Sequence, residues 1–227
     1  MSRQLTFDLT AIPAFGRADF FVSQANTLAA GMVSNPDGWP NGKLVLTGPA
    51  GSGKSHLARV WADQSGAVVL HGPALGTTDP GALLREAVVV DDADQVAGQP
   101  DLERPLLHLH NLVLAEGGRL LLTAQTPPSQ WPVRLPDLAS RMQASATVAL
   151  EPPDDALLSA VLIKLFADRQ VHVSPQLVQF LARRMERSLF AASRLVGALD
   201  ALALASNRPI SRALAAEVLD SAAQNTA

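Results

Sequence analysis

Gly48-Pro49-Ala50-Gly51-Ser52-Gly53-Lys54-Ser55 reads G-x-x-x-x-G-K-[ST], a spacing that suits phosphate. The glycines let the backbone curl until its N–H groups point inward at phosphate oxygens. Lys54 would neutralise the β- and γ-phosphates, and the Ser55 hydroxyl would ligate Mg²⁺. A second run, Ala87-Val88-Val89-Val90-Asp91-Asp92, ends an apolar stretch in adjacent carboxylates. Asp91 is expected to hold Mg²⁺ through water, and Asp92 to orient or deprotonate an attacking water. Asp reaches one methylene less than Glu in that second position, so intrinsic ATP hydrolysis should be weak or absent. A third run, Leu120–Thr123, leads into Ala124-Gln125. There Thr123 or Gln125 could lie between the two motifs and sense a γ-phosphate.

These groups converge only if the chain supplies strands that end together. Short β-branched runs alternate with helix-like stretches, the pattern of a parallel α/β sheet. Strands are expected at Lys43–Thr47, Ala67–His71, Ala87–Asp91, Arg119–Thr123 and Thr147–Leu150. The runs LVL, VVVD and LLLT are apolar enough for strands covered on both faces. The glycine-rich segment falls between the first strand and the helix-like SHLARVWAD, where a helix N-terminus favours anions. Ligands of such sheets gather at the carboxyl ends of strands, which would bring Asp91 and Asp92 toward the loop.

From Glu151 the texture changes. Glu-Pro-Pro-Asp-Asp breaks the chain, and apolar residues then recur at helical spacing, with Ser174 and Ser211 placed as N-caps. The expected fold is α/β, a P-loop parallel sheet with a C-terminal all-helical lid. Its parts are a tail over 1–12, a nucleotide-binding domain over 13–151 and the lid over 152–227.

Composition narrows the function classes. In 227 residues, 48% are hydrophobic and 17% charged, which is globular composition. No cysteine is present, which excludes a disulfide scaffold and a thiolate metal site and fits a reducing cytosol. Five histidines show no metal-binding spacing, and a net charge of −3 argues against broad nucleic-acid binding. Seven Phe, three Trp and no Tyr offer no stacking platform for single strands, and the tryptophans read as packing residues, with Trp39, in the turn before the first strand, the exception worth testing. No apolar run reaches the ~18 residues that suit a membrane span, so a cytoplasmic protein without membrane contact is expected.

Taken together, the glycine-rich loop, the Asp-Asp strand, the polar strand end and the helical lid resemble AAA+ ATPases, in particular the DnaA-like branch. Gly53–Leu57 (GKSHL) is similar to that branch's GKTHL, which places His56 with the nucleotide contacts. Phe15–Asn26 is similar to its adenine-wrapping segment, with Phe21 as the contact residue. LTAQTPPSQW resembles its sensor stretch, and Leu138-Ala139-Ser140-Arg141 matches its L-x-S-R box. The resemblance implies ADP or ATP with Mg²⁺ as cofactors and makes Arg141 an arginine finger acting on a neighbouring subunit's ATP. It also implies a lid arginine contacting the chain's own nucleotide, either Arg194 or Arg187.

The tail Gln4-Leu5-Thr6-Phe7-Asp8-Leu9 is similar to peptides that dock into the bacterial sliding clamp, with Gln4, Leu5, Phe7 and Leu9 as contacts. A DnaA-like core carrying such a peptide, with no counterpart of the initiator's oligomerisation and DNA-reading domains, resembles the Hda branch. The resemblance implies two partners, the DnaA initiator and the DNA polymerase III sliding clamp. DNA would be met only indirectly, and self-association is possible. Two other readings remain: a helicase loader or targeting factor, and a nucleotide-locked adaptor without a catalytic role.

Overall fold

The computed structural model describes residues 20–77 and 87–224. Gln4, Leu5, Phe7 and Leu9 of the tail, and residues 15–19 of the adenine segment, lie outside the described residues.

Five strands form one parallel sheet: β1 (Lys43–Thr47), β2 (Val68–His71), β3 (Ala87–Asp91), β4 (Arg119–Ala124) and β5 (Ala146–Ala149). Their order is β2-β3-β4-β1-β5. Burial explains the sequence pattern. Every residue of β1 is buried, as are four of five in β3 and five of six in β4, the three inner strands that read as continuous apolar runs. The edge strands β2 and β5 are buried on fewer positions. The parallel α/β sheet with helices is therefore as expected, with β5 beginning and ending one residue earlier.

Helix α1 (Thr27–Val33) precedes the first strand, and α2 (Lys54–Ser65), α3 (Pro100–Ala115) and α4 (Pro136–Gln143) are crossovers between strands. One face of the sheet contributes Val45, Val88, Val90, Leu120 and Leu122 to a core with Leu106 and Leu109 of α3 and Leu138 and Met142 of α4. Burying a Leu or Val fully contributes about 1.5–3 kcal/mol, so this layer holds α4 in place. Trp39 is 4% exposed, packs on Trp61 at 5.0 Å and donates its Nε1–H to the Met32 carbonyl. It and Trp61 are packing residues.

Four more helices follow: α5 (Asp155–Asp168), α6 (Pro175–Arg184), α7 (Leu189–Ser206) and α8 (Arg212–Gln224). Side chains of Asp154, Ser174, Ser188 and Ser211 accept the backbone N–H three residues on, capping all four. Leu158, Leu162, Phe166, Leu181, Val196, Leu199 and Leu214 fill their common core. Helix α7 has the 18-residue length and mean hydropathy, 1.5, of a membrane span. It also carries Arg194 and Asp200 and turns Ala192, Leu195, Val196 and Leu199 into the helical core.

By internal contacts the chain divides into two compact units. One holds Asn26–Glu151 with Phe20; the other holds Pro152 onward with Phe21–Ala25. Phe21 thus groups with the helices rather than with the sheet.

Candidate nucleotide site

The loop Gly48–Ser55 leaves the carboxyl end of β1 and enters α2 at Lys54. Three of its glycines, Gly48, Gly51 and Gly53, have φ of 144°, 73° and 105°. Gly48 matters most: a Cβ there would stand 2.3 Å from the Leu150 carbonyl oxygen, on backbone that cannot yield. Leu150 is held in turn by its N–H, which donates to the Thr47 carbonyl at 2.7 Å. The first-turn N–H groups of α2 have no intrahelical acceptor, which leaves them for an anion.

Lys54 is 6% exposed and donates to the Gly48 and Pro49 carbonyls, both at 2.8 Å. Burial lowers its pKa, opposed by the charges of Asp92, Asp94 and Asp91. Ser52 is 2% exposed, and its Oγ has no hydrogen-bond partner among the described residues. A buried hydroxyl left this way costs free energy unless a ligand satisfies it. The positive-φ glycines, the buried ammonium and the orphaned hydroxyl fit a phosphate chain.

The acidic side of the site is tightly organised. Asp91 Oδ1 accepts from Ser55 Oγ at 2.8 Å and from Thr123 Oγ1 at 2.5 Å. Thr123 Oγ1 also accepts the Asp92 N–H at 2.9 Å. Of the two polar candidates after β4, Thr123 is the one whose side chain lies against the carboxylates. Gln125 instead donates its backbone N–H to Asp94 at 2.8 Å. Asp92 adopts a left-handed conformation, φ 55°, and a Cβ on Gly72 would stand 2.5 Å from its carbonyl oxygen. Burial raises the Asp92 pKa, reinforced by Asp91 and Asp94 and opposed by His71 and Lys54.

His71 is a residue the sequence reasoning missed. It closes β2 as the register partner of Asp91, and its Nδ1 lies 3.7 Å from Asp92 Oδ2. Ligand atoms of His71, Asp91 and Asp92 lie within 4.8 Å of one another, a donor set that suits a divalent cation beside the loop. The signal was present: both strands end where the ligands of a parallel sheet collect. Finding it required knowing that β2 and β3 are neighbours.

The other expected nucleotide contacts have partners within their own units. His56 stacks on Phe20 at 5.7 Å. In the helical unit, the Arg194 guanidinium sits over the Phe190 ring at 5.8 Å. Arg187 pairs with Asp155 at 2.8 Å and also donates to the Pro153 carbonyl.

Arg141 stands in the last turn of α4 and pairs with Asp137 at 3.0 Å, both exposed. It lines a 650 Å³ cavity together with Lys43 and Arg119, the residues that open β1 and β4. The loop Gly48–Ser55 follows the other end of β1. At ~3.3 Å per residue, a five-residue strand separates its ends by roughly 13 Å, so Arg141 and the loop lie at opposite ends of β1.

Glu103 holds the approach to α4. It is 1% exposed and accepts N–H groups from Gly98, Arg134 and Leu135 at 2.8–2.9 Å. Burial would raise its pKa, but these donors and the Arg134 charge outweigh burial and hold it below the ordinary 4.5. A lowered carboxylate pKa adds stability above the unfolded value, and that stability is lost as pH falls through the folded value. Glu103→Ala leaves three donors unpaired and should cost about 3 kcal/mol at pH 7. Urea unfolding measures this, and the difference from wild type should shrink below pH ~4.5.

No family model matches the chain. A DnaA chromosomal replication initiator from Caulobacter vibrioides is 26% identical, in an alignment covering 88% of this chain and 46% of that protein. Domain III of Thermotoga maritima DnaA superimposes with a TM-score of 0.76 at 17% identity, covering 95% of this chain and 98% of that one. The fold is that of the AAA+ ATPase domains. A structure of the replication initiator DnaA bound to AMPPCP and single-stranded DNA matches at a TM-score of 0.67 and 13% identity, over 80% of this chain and 63% of that one. The chain spans less than half the length of the curated DnaA relatives it matches.

Proposed function

We propose that this AAA+ chain is a DnaA-related, cytoplasmic regulator of chromosome replication initiation, of the Hda type. It binds ADP or ATP with Mg²⁺, docks on the sliding clamp through Gln4, Leu5, Phe7 and Leu9, and stimulates hydrolysis of DnaA-bound ATP through Arg141. The observation that carries the reading is the placement of the loop Gly48–Ser55 and of Arg141 at opposite ends of β1. An arginine at the opening end of β1 is out of reach of phosphates held in its own chain's loop. It suits a neighbour's phosphates, where a guanidinium stabilises charge on a transferring phosphoryl group.

On this reading Gly48, Pro49, Ala50, Gly51, Ser52 and Gly53 form the phosphate cradle, with Lys54 neutralising the phosphates. Ser55 and Asp91 would hold Mg²⁺, which screens phosphate charge when bound. Asp92, kept in place by the Thr123 hydroxyl on its N–H, orients water. Phe21, His56 and Arg194 complete the nucleotide contacts.

The ion pair between Arg141 and Asp137 is the observation favouring the adaptor reading, in which Arg141 is an ordinary surface residue. An exposed i,i+4 pair contributes only about 0.3–0.5 kcal/mol, far less than a finger gains on a developing phosphoryl charge. The pair therefore does not prevent Arg141 from leaving Asp137.

Clamp docking is tested by retention on immobilised sliding clamp. The full chain should be retained and a Gln4→Ala/Leu5→Ala variant should wash through. Equal retention of both would remove the clamp from the account.

A further inference from the structure

Lys43 opens β1 and is 4% exposed, yet no carboxylate pairs with it among the described residues. Its ammonium donates instead to the backbone carbonyl of Arg141 at 2.5 Å and contacts His110 Nε2 at 3.3 Å. His110 is itself 3% exposed, and its Nδ1 lies 3.1 Å from Asn111 Oδ1. These contacts form one consistent chain. The Nδ1–H tautomer donates to Asn111 and leaves Nε2 to accept from Lys43. Burial lowers the His110 pKa, aided by the charges of Lys43 and Arg141 and opposed by Asn111 and Asp137. A neutral imidazole is what this chain of donors requires.

The acceptor at its end is informative. Helix α4 has only eight residues, and Arg141 lies in its last turn. Carbonyls of a last turn lack intrahelical donors, and a cation there also complements the helix dipole. The Arg141 carbonyl is capped by the Lys43 ammonium and by Ser145 Oγ at 3.1 Å. A lysine from an inner strand therefore fixes the backbone from which the Arg141 guanidinium projects.

We propose that Lys43 is a positioning residue for Arg141, capping the end of α4 from the sheet so that the guanidinium is presented in one place to a neighbouring subunit's nucleotide. This rests on the reading that Arg141 acts on a neighbour's ATP. Misplacing a catalytic group by about 1 Å can cost 10²-fold. Removing Lys43 relieves the cost of burying its charge but leaves His110 Nε2 without its donor, so the two effects on the fold oppose one another.

Lys43→Met tests it in the full chain, with Lys43→Arg as the conservative variant and Arg141→Ala as the reference. In Lys43→Met, maximal stimulation of the ATP-loaded partner should fall roughly 10–100-fold, while the partner concentration giving half the effect stays within about threefold. The variant should remain folded at the assay temperature with ADP binding as in wild type, and Lys43→Arg should restore most of the stimulation. The ¹⁵N order parameter of Arg141 Nε should drop in Lys43→Met. Maximal stimulation within about twofold of wild type, where Arg141→Ala abolishes it, would overturn the proposal. If Arg141→Ala is itself silent, the parent reading fails, and an unchanged order parameter in Lys43→Met overturns the positioning role separately.

Discussion

Arg141→Ala is expected to lower the stimulated hydrolysis of DnaA-bound ATP by roughly 10³–10⁵-fold, the contribution of an arginine finger to phosphoryl transfer. The structure makes this a sharp prediction, because Arg141 lines the cavity at the opening ends of β1 and β4 while the phosphate loop follows β1 at its other end. Truncation therefore touches no group of the loop Gly48–Ser55. Among the described residues its side chain hydrogen-bonds to Asp137 in an exposed pair, so stability should change by no more than about 0.5 kcal/mol. Nucleotide affinity and clamp retention should stay at wild-type levels. Arg141→Lys should recover only part of the lost rate, since an ammonium is a point charge without the planar fork of guanidinium. Single-turnover hydrolysis of ATP preloaded on DnaA reads these outcomes. Stimulation by Arg141→Ala equal to that of wild type would return Arg141 to the surface and favour the adaptor reading.

Lys54→Ala should carry the second large effect, a loss of about 30- to 5,000-fold in affinity for ADP and ATP. Losing one partner of a buried, charge-assisted contact costs about 2–5 kcal/mol. Lys54 is 6% exposed and set among the carbonyls of Gly48 and Pro49, so phosphates entering the loop meet its charge in a desolvated setting. Asp91, Asp92 and Asp94 surround it with negative charge, and without Lys54 those carboxylates would repel the phosphates directly. Equilibrium titration with a fluorescent ADP analogue checks this. Affinity within a factor of about three of wild type would show that the loop is not where phosphates bind.

Much of this site was legible before any coordinates. The glycine-rich loop and the Asp-Asp run are local in sequence, and the apolar continuity of β1, β3 and β4 marks strands covered on both faces. Those signals placed the ends of β1 and β3 without error. Other features depend on which strands are neighbours, and periodicity does not carry that information. His71 meets Asp92 only because β2 pairs with β3, and Thr123 meets Asp91 only because β3 pairs with β4. Lys43 was read simply as the first residue of a strand. Its partners Arg141 and His110 lie 98 and 67 residues away. Glu103 was hidden for a related reason, since a helix-start carboxylate in sequence gives no sign that loops at Gly98 and Arg134 fold onto it. Phe21 was placed by its neighbours in sequence, yet it groups with the helices.

On the proposed function this chain holds an adenine nucleotide at Gly48–Ser55. Isothermal titration of ligand-stripped protein with Mg²⁺-ADP and Mg²⁺-ATP tests it most directly. A saturable, one-to-one binding heat is predicted for at least one of the two, greatly weakened in Lys54→Ala. The absence of binding by either nucleotide to folded wild-type protein would contradict it.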